Sequence, residues 1–372
     1  MLRSLAFLAA LACACSSRTT SLVVREDGGA DAGLDASTSG GAGGTSGAGG
    51  TSGAGGTSGA GGTSGAGGTS GAGGTGGAGG GAGAGSGGAS TDGGPLVASV
   101  AVDGAPFPIR VLGVDATARL TRALEVDVLE VSVGRVTAWL AAGRPVPCTS
   151  ASDAACALDP GGPYAAVMRW RPEWNLAARD DRFGDSDCDG PLAYPGGTTL
   201  DIGTADLPAT CVSWYQAVAI CAFEGKRLLT QVEWLYVSTG HGQGWRYAWG
   251  GTPHPPDCSH TTHRDQPASG CGFPVAGGSA PAGASVDGLL DLTGSVFEWV
   301  WDAEWSSFPA GDADFSGPAF SATGDPTHMR HGGAFTVPDF SGDPRLENGH
   351  PDQHPANERY DDAGFRCART LP

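Results

Sequence analysis

Residues 211–234 read CVSWYQAVAICAFEGKRLLTQVEW and contain the signals for two consecutive helices. Ser213 can N-cap a helix over residues 214–223, because its side-chain oxygen can accept a hydrogen bond from an unpaired N–H of the first turn. Gly225 follows as a helix-stop residue. Thr230-Gln-Val-Glu233 has the spacing of a capping box, in which two side chains satisfy backbone N–H groups at the helix start. The stretch therefore predicts two adjacent, capped helices.

Outside these helices the chain favours short strands and loops. The segments from Leu96 to Val102 and from Leu124 to Val133 are strand-like, but such segments are short and interrupted by Gly and Pro. Long loops are predicted between Pro145 and Leu207. The globular part, residues 96–372, is predicted to be one α+β domain with little regular secondary structure.

The first 15 residues have the pattern of a signal peptide. An apolar run follows Arg3 and ends at small residues with Cys13 and Cys15. The run is too short to cross a bilayer as a helix, and a cysteine at its end resembles a bacterial lipoprotein processing site. Residues 1–15 therefore predict export, with a lipid on Cys13 or Cys15 as the membrane anchor, at the cell surface or in the periplasm. Free secretion is the alternative.

Residues 16–95 form a low-complexity segment. Five copies of Gly-Ala-Gly-Gly-Thr-Ser run from Gly41 to Ser70, and Gly, Ala and Ser continue to Gly94. Such a composition cannot bury enough apolar surface to offset its chain entropy. We interpret this segment as a disordered linker.

Charge and cysteine content restrict the function further. With 39 acidic and 21 basic residues the formal charge is -18, which disfavours nucleic acid and anionic membrane surfaces and leaves the lipid as the membrane attachment. Eight cysteines lie beyond the linker and none forms a Cys-x-x-Cys pair, so disulfides are expected rather than a zinc or redox site. Neighbours in sequence suggest the pairs Cys148–Cys156, Cys188–Cys211 and Cys258–Cys271.

Further sequence blocks occur in a fixed order around the helical stretch. They are Glu130-Val-Ser-Val-Gly134, Tyr247-Ala-Trp-Gly250, Gly288-Leu-Leu-Asp-Leu-Thr-Gly-Ser-Val-Phe-Glu-Trp299, Arg330-His-Gly-Gly-Ala-Phe335 and Gly364-Phe-Arg-Cys-Ala-Arg369. Together with residues 211–234 they resemble the formylglycine-generating enzyme family, also called sulfatase-modifying factors. The resemblance covers most of the domain and implies an irregular α+β fold related to C-type lectins.

The resemblance implies one disulfide and a calcium site. Its disulfide joins a cysteine on the first helix to one in the closing block, here Cys221 and Cys367. Its calcium ligands correspond to the side chains of Asp291 and Glu298 and the carbonyls of Gly294 and Val296, oxygen donors of the kind that Ca²⁺ prefers. A second family calcium site would lie near Ser259 and His260, but its remaining ligands have no clear counterparts.

Members of this family hold copper with two cysteines and use oxygen to oxidise a substrate cysteine to an aldehyde. The resemblance places Val337 and Gly342 at those two positions. Neither side chain can bind a metal, and copper(I) prefers thiolates. We therefore expect no copper and no oxidase activity of the family type, although activity by an unrecognised route is an alternative.

A non-haem iron oxidoreductase is a further alternative. Its histidine and carboxylate ligands would come from His328, His331, His350 and His354 with Asp339 and Asp352, or from His260 and His263. Histidines in a segment rich in Gly, Pro and Asp are more often exposed surface residues than ligands. The favoured reading is a non-catalytic domain that binds a protein peptide or a glycan, with Trp301 and Trp305 as candidate groove residues and Trp299 in the core.

Overall fold

The computed structural model describes residues 96–180, 188, 198–250, 256–264, 271–303, 327–338 and 344–372. The predicted signal peptide, lipid-anchor cysteines and linker lie outside the described residues. Among the residues that are described, no helix is both long and apolar enough to cross a bilayer.

The domain begins with four short strands. These are β1 (Val97–Val100), β2 (Pro106–Val111), β3 (Val114–Arg119) and β4 (Leu124–Asp127). β2 and β3 pair as an antiparallel hairpin whose two-residue turn, Leu112-Gly113, has positive φ at both positions. Alternate side chains of β2 are buried, so one face of the hairpin packs on the domain and the other faces solvent.

The described residues contain five α-helices. They are α1 (Val133–Ala141), α2 (Asn175–Ala178), α3 (Thr199–Ile202), α4 (Trp214–Phe223) and α5 (Gln231–Ser238). The two predicted helices are confirmed with their caps: Ser213 accepts from the backbone N–H of Gln216, and Thr230 accepts from that of Glu233. Short 3₁₀ turns occupy Ala154–Cys156, Pro172–Trp174, Pro281–Gly283 and Pro344–Leu346.

The predicted strand from Leu124 to Val133 is wrong in its second half. β4 ends at Asp127, and Val133 is the first residue of α1. Ser132 has extended dihedral angles at the N-cap, and Val133, Val136 and Trp139 then share the buried side of the helix. The predicted strand from Leu96 to Val102 is confirmed as the shorter β1.

Two four-stranded sheets meet near the end of the chain. The remaining strands are β5 (Arg227–Leu228), β6 (Phe297–Ala303), β7 (Thr327–His331), β8 (Asp352–Pro355), β9 (Ala363–Phe365) and β10 (Cys367–Thr370). One sheet has the order β1-β4-β10-β5, and the other has the order β8-β7-β6-β9. β6 and β9 are parallel, while the other pairs are antiparallel. Arg366 joins β9 to β10 and therefore lies where the two sheets meet.

Large aromatic side chains fill the core. Trp139, Trp170, Trp214, Trp234, Trp299 and Trp301 are all fully buried. Trp214 donates its indole N–H to the carbonyl of Val300, and Trp299 donates to that of Val212, so each polar edge is satisfied inside the protein. The suggestion that Trp301 lines a surface groove is wrong, because its strand β6 is buried along its whole length. Trp305 lies outside the described residues.

Four disulfides connect the chain: Cys148–Cys156, Cys188–Cys211, Cys221–Cys367 and Cys258–Cys271. They are the pairs suggested above by sequence proximity and by the family resemblance. Cys221–Cys367 links α4 to β10 across 146 positions of sequence. These bonds indicate an oxidising, extracytoplasmic compartment.

Candidate functional site

A fully buried arginine occupies the junction of the two sheets. Arg366 makes an ion pair with both oxygens of Glu298: its Nη2 lies 2.8 Å from Oε1, and its Nε lies 3.1 Å from Oε1 and 3.2 Å from Oε2. Its remaining N–H groups donate to the carbonyls of Asp127, Val128 and Leu290. Trp234 donates its indole N–H to Oε2 of Glu298 at 3.0 Å. The arginine therefore ties β4, β6 and the 290 segment together with its full set of donors.

Two more carboxylates belong to the same buried group. Glu130 accepts from the hydroxyl of Ser295 at 3.0 Å and from the backbone N–H of Val296 at 3.2 Å. Asp291 accepts from the backbone N–H of Gly278 at 2.6 Å. We call Glu130, Asp291, Glu298 and Arg366 the carboxylate cluster. All four side chains are buried.

The segment from Asp291 to Ser295, which contributes Asp291 to this cluster, has an unusual backbone. Asp291, Gly294 and Ser295 all have positive φ, at 62°, 75° and 59°. At Gly294 an added Cβ would lie 2.0 Å from the hydroxyl oxygen of Thr261 and 2.4 Å from the carbonyl oxygen of Thr262. Glycine is therefore required there for space as well as for conformation. Three residues with positive φ within five positions make this a tightly turning segment.

The cluster holds more negative than positive charge. Burial raises the pKa of Glu130 well above its usual range, and the nearby charges of Asp291 and Glu298 raise it further. Burial is also the main reason that the pKa of Asp291 is raised. Arg366 supplies one positive charge against three carboxylates. A bound divalent cation would balance the excess of two negative charges, whereas protonation of Glu130 alone would halve it.

The residues assigned to calcium by resemblance lie close together in sequence, at the start of β6 and just before it. Asp291, Gly294 and Val296 lie on the segment before β6, Glu298 is the second residue of β6, and their oxygen donors are of the kind that Ca²⁺ prefers. However, both oxygens of Glu298 already accept hydrogen bonds from Arg366 and Trp234. Glu130 accepts one bond on each oxygen and keeps free lone pairs. Sequence reasoning did not predict that Glu130 belongs to this buried group.

The three carboxylates do not converge as a ready-made cage. Among the described residues, the His, Cys, Asp and Glu ligand atoms that lie within 4.8 Å of one another belong to Asp127, Glu224 and Cys367. That group is unsuitable for a metal, because Cys367 is in a disulfide and Arg135 and Lys226 neutralise the two acids. Calcium in the carboxylate cluster would therefore depend on carbonyl oxygens as well as carboxylates.

The expected second calcium position is a small hydrogen-bonded turn. Asp257 accepts from Ser259 and from the imidazole of His260, whose Nδ1 lies 2.8 Å away. Those two hydrogen bonds hold the pKa of Asp257 well below its usual range. Asp257 is mostly exposed, and its contacts within the turn give no support for an ion there.

The positions of the family's copper ligands do not fit copper. Val337 is fully buried in an apolar cluster with Tyr247, Phe297, Ala334 and Leu346, among others. Gly342 lies outside the described residues. Every cysteine in the described part of the chain is in a disulfide. The described residues therefore offer no thiolate to copper(I).

The histidines of the predicted surface loop are partly core residues. His328 stacks on Trp214 with ring centroids 3.7 Å apart, and His331 stacks on Trp234 at 4.6 Å. Burial lowers the pKa of each imidazole to about 3. The exposed-loop interpretation is wrong for both, because Thr327–His331 forms the buried strand β7 between β6 and β8.

The other candidate iron ligands are not gathered around one point. His354 contacts Asp352 at 3.1 Å and the hydroxyl of Tyr360 at 2.6 Å. His263 is buried beside the Cys258–Cys271 disulfide, and His350 lies at the surface near the β2–β3 hairpin. Asp339 lies outside the described residues. None of these histidines belongs to a group of three potential ligands in the part of the chain that the structure describes.

Comparison with known proteins identifies the family to which the sequence belongs. Residues 117–371 match the family model described as "Sulfatase-modifying factor enzyme 1-like domain". The chain is 33% identical over 134 residues to a formylglycine-generating enzyme of Thermomonospora curvata, covering 33% of this chain and 44% of that protein. It is 37% identical over 101 residues to the mouse enzyme of the same name, covering 26% of this chain and 27% of that one.

An inactive Cα-formylglycine-generating enzyme 2 of Bos taurus is 33% identical over 113 residues, covering 29% of this chain and 36% of the relative. In all three cases less than half of the relative is matched. Among solved structures, PvdO from Pseudomonas aeruginosa aligns over 74% of this chain and 95% of its own, with 18% identity and a TM-score of 0.49.

Proposed function

Because the chain belongs to the family of sulfatase-modifying factor enzyme 1-like domains, we propose that it is a non-catalytic, calcium-stabilised binding domain of an exported lipoprotein. Its ligand is a peptide or a glycan. The observation that carries the proposal is the apolar burial of Val337 at a position where the enzymes of this family place a copper ligand.

The chemistry of the described cysteines supports the absence of oxidase activity. A copper-dependent oxidase of this family needs two thiolates, and the eight cysteines of the domain are all in disulfides. One protein similar to this chain is itself named as inactive, which agrees with a loss of activity here. Function then lies in what the domain binds.

Calcium has a structural role in this proposal. Asp291, Gly294, Val296 and Glu298 would hold the ion, with Glu130 beside them. Ca²⁺ takes about six to eight oxygen ligands, and its charge would offset the excess of carboxylates around Arg366. The ion would fix the segment that leads into β6 and take no part in a reaction.

In this proposal the N-terminal segment determines where the domain is localised. The disulfides require an oxidising compartment, in agreement with a signal peptide over residues 1–15. A lipid on Cys13 or Cys15 would attach the chain to a membrane, and residues 16–95 would hold the domain away from it. A charge of -18 favours ligands other than nucleic acid.

The test uses the full-length chain purified from an oxidising compartment. Metal content is measured, and oxygen uptake is recorded with a Cys-x-Pro-x-Arg peptide in the presence of copper or iron. The formylglycine-generating enzyme of Thermomonospora curvata is the positive control. We expect calcium to bind and no oxygen uptake to occur. Stoichiometric copper or iron together with peptide-dependent oxygen uptake would refute the proposal and reopen both oxidase alternatives.

A further inference from the structure

A cavity of about 450 Å³ opens between the β2–β3 hairpin and the rest of the domain. Its walls come from residues 108–113 of the hairpin, from α5 and residues 244–246, and from residues 347–350. The family match begins at residue 117, so the hairpin wall precedes the part of the chain that is shared with the family. The volume is in the range of cavities that hold small molecules. We call it the hairpin pocket.

Backbone and side-chain hydrogen bonds hold the walls of the hairpin pocket in place. The turn residue Leu112 donates its N–H to the carbonyl of Gly349 at 2.9 Å. Asn348 donates its side-chain amide to the carbonyls of Ser238 and Trp245, at 2.6 and 3.0 Å. An added Cβ at Gly349 would lie 2.7 Å from the carbonyl oxygen of Arg110, so the walls touch there. The pocket is therefore formed before any ligand arrives, which reduces the entropy lost on binding.

An indole ring forms one wall. One face of Trp245 lies against Gly240, where an added Cβ would be 2.6 Å from the ring. Among the described residues no aromatic or guanidinium group stacks on its other face, and its indole N–H donates to no protein acceptor. Trp245 is half-buried and lines the pocket. An aromatic face and an unused donor are thus available to a ligand.

The polar groups of the pocket are paired so that their charges cancel. Arg246 makes an ion pair with Glu347, and Arg110 lies 3.6 Å from Asp115 in a solvent-exposed pair. His350 also lines the pocket, and within the described part of the chain its ring nitrogens have no protein partner. Donors and acceptors are therefore present together without a large net charge.

From these features we propose that the hairpin pocket binds a neutral saccharide unit of one or two rings. The apolar C–H face of a pyranose fits an open indole face, because its weakly positive hydrogens meet the negative face of the π-system. Its hydroxyls both donate and accept, which matches the Arg246–Glu347 pair and the imidazole of His350. An anion would need unpaired positive charge here and would be repelled by a protein of charge -18. This inference rests on the proposed binding function and names its ligand class.

Isothermal titration and ligand-observed NMR on the full-length chain test the inference. The probes are cellobiose, maltose, lactose and N,N′-diacetylchitobiose, with glucuronate as the anionic comparison. We expect at least one neutral disaccharide to bind with a Kd on the order of 0.1–1 mM. Trp245→Ala should weaken that binding at least about tenfold, because it removes the aromatic wall.

Two further variants keep the result interpretable. Arg110→Ala changes a side chain that is 70% exposed, so the fold is retained, and it should weaken binding about threefold or more. Phe223→Ala removes an exposed aromatic at the end of α4, away from the pocket, and should leave binding unchanged. Thermal melts check that each variant is folded.

Three outcomes would overturn the inference. They are the absence of binding by every neutral probe up to about 10 mM, binding that survives both Trp245→Ala and Arg110→Ala, and tighter binding of glucuronate than of the neutral sugars. Each would remove the saccharide site and leave the proposed non-catalytic function standing. Metal-dependent oxygen uptake, in contrast, would refute that function whatever the sugars do.

Discussion

Removing the Cys221–Cys367 disulfide should destabilise the domain about twice as much as removing Cys148–Cys156. On the loop-entropy model the cost depends on the length of the loop that the bond closes, which is 146 positions for the first pair and 8 for the second. At 25 °C these lengths correspond to about 5 and about 2.5 kcal/mol. The Cys258–Cys271 bond shortens the long loop by 13 positions, which changes the first value by only ~0.1 kcal/mol.

The two double variants, Cys221→Ala with Cys367→Ala and Cys148→Ala with Cys156→Ala, form a matched pair. All four sulfurs are buried, so cavity costs are similar and largely cancel in the comparison. Guanidinium unfolding followed by tryptophan fluorescence gives the free energy of unfolding of each protein. We expect a difference of roughly 2 to 2.5 kcal/mol between the variants. Equal losses, or a larger loss for the short loop, would refute the reasoning.

Three further outcomes follow from individual side chains. The raised pKa of Glu130 means that its stabilising contribution is present below about pH 4.3 and is lost as pH rises through the folded-state pKa. Melting temperatures in EDTA should therefore fall as the pH is raised above about 4.3, calcium should restore them, and Glu130→Gln should flatten both effects. The pKa of His328 is lowered to about 3, so its contribution is present above about pH 6.5 and is lost as pH falls. His328→Phe should make the free energy of unfolding less sensitive to acid, whereas an unchanged pH profile would contradict its buried neutral state. Ser213→Ala removes the cap on Gln216 and should cost about 1–2 kcal/mol in denaturant unfolding, while Ser99→Ala, exposed on β1, should cost little.

Local signals predicted α4 and α5 because the interactions that cap these two helices are local. The caps at Ser213 and Thr230 each involve a residue three positions away. Strand boundaries were less predictable, since residues 128–133 have strand-like composition although α1 begins at Val133 and buries Trp139 in the core. The family resemblance predicted the fold, because its blocks are distributed over most of the domain.

The candidate sites, too, could be predicted only where their residues are close together in sequence. The segment from Asp291 to Glu298 could be recognised from one contiguous block. Glu130 could not be assigned to it, because the contact with Ser295 spans 165 positions and depends on the packing of both sheets. The burial of His328 was hidden for a similar reason, since composition cannot tell that a polar strand will lie between two others. The hairpin pocket had no sequence signal, because its walls come from three distant segments.

The position of Arg366 between β9 and β10 also sets the order in which the domain can be completed during synthesis. β10 pairs with β4 and β5, and β9 pairs with β6, so each sheet needs a strand that the ribosome makes after all of its neighbours in that sheet. The sheet β1-β4-β10-β5 lacks an interior strand, and the carboxylates cannot meet Arg366, until residues 363–370 have been made. A nascent chain that lacks these residues can complete neither that sheet nor the Cys221–Cys367 disulfide.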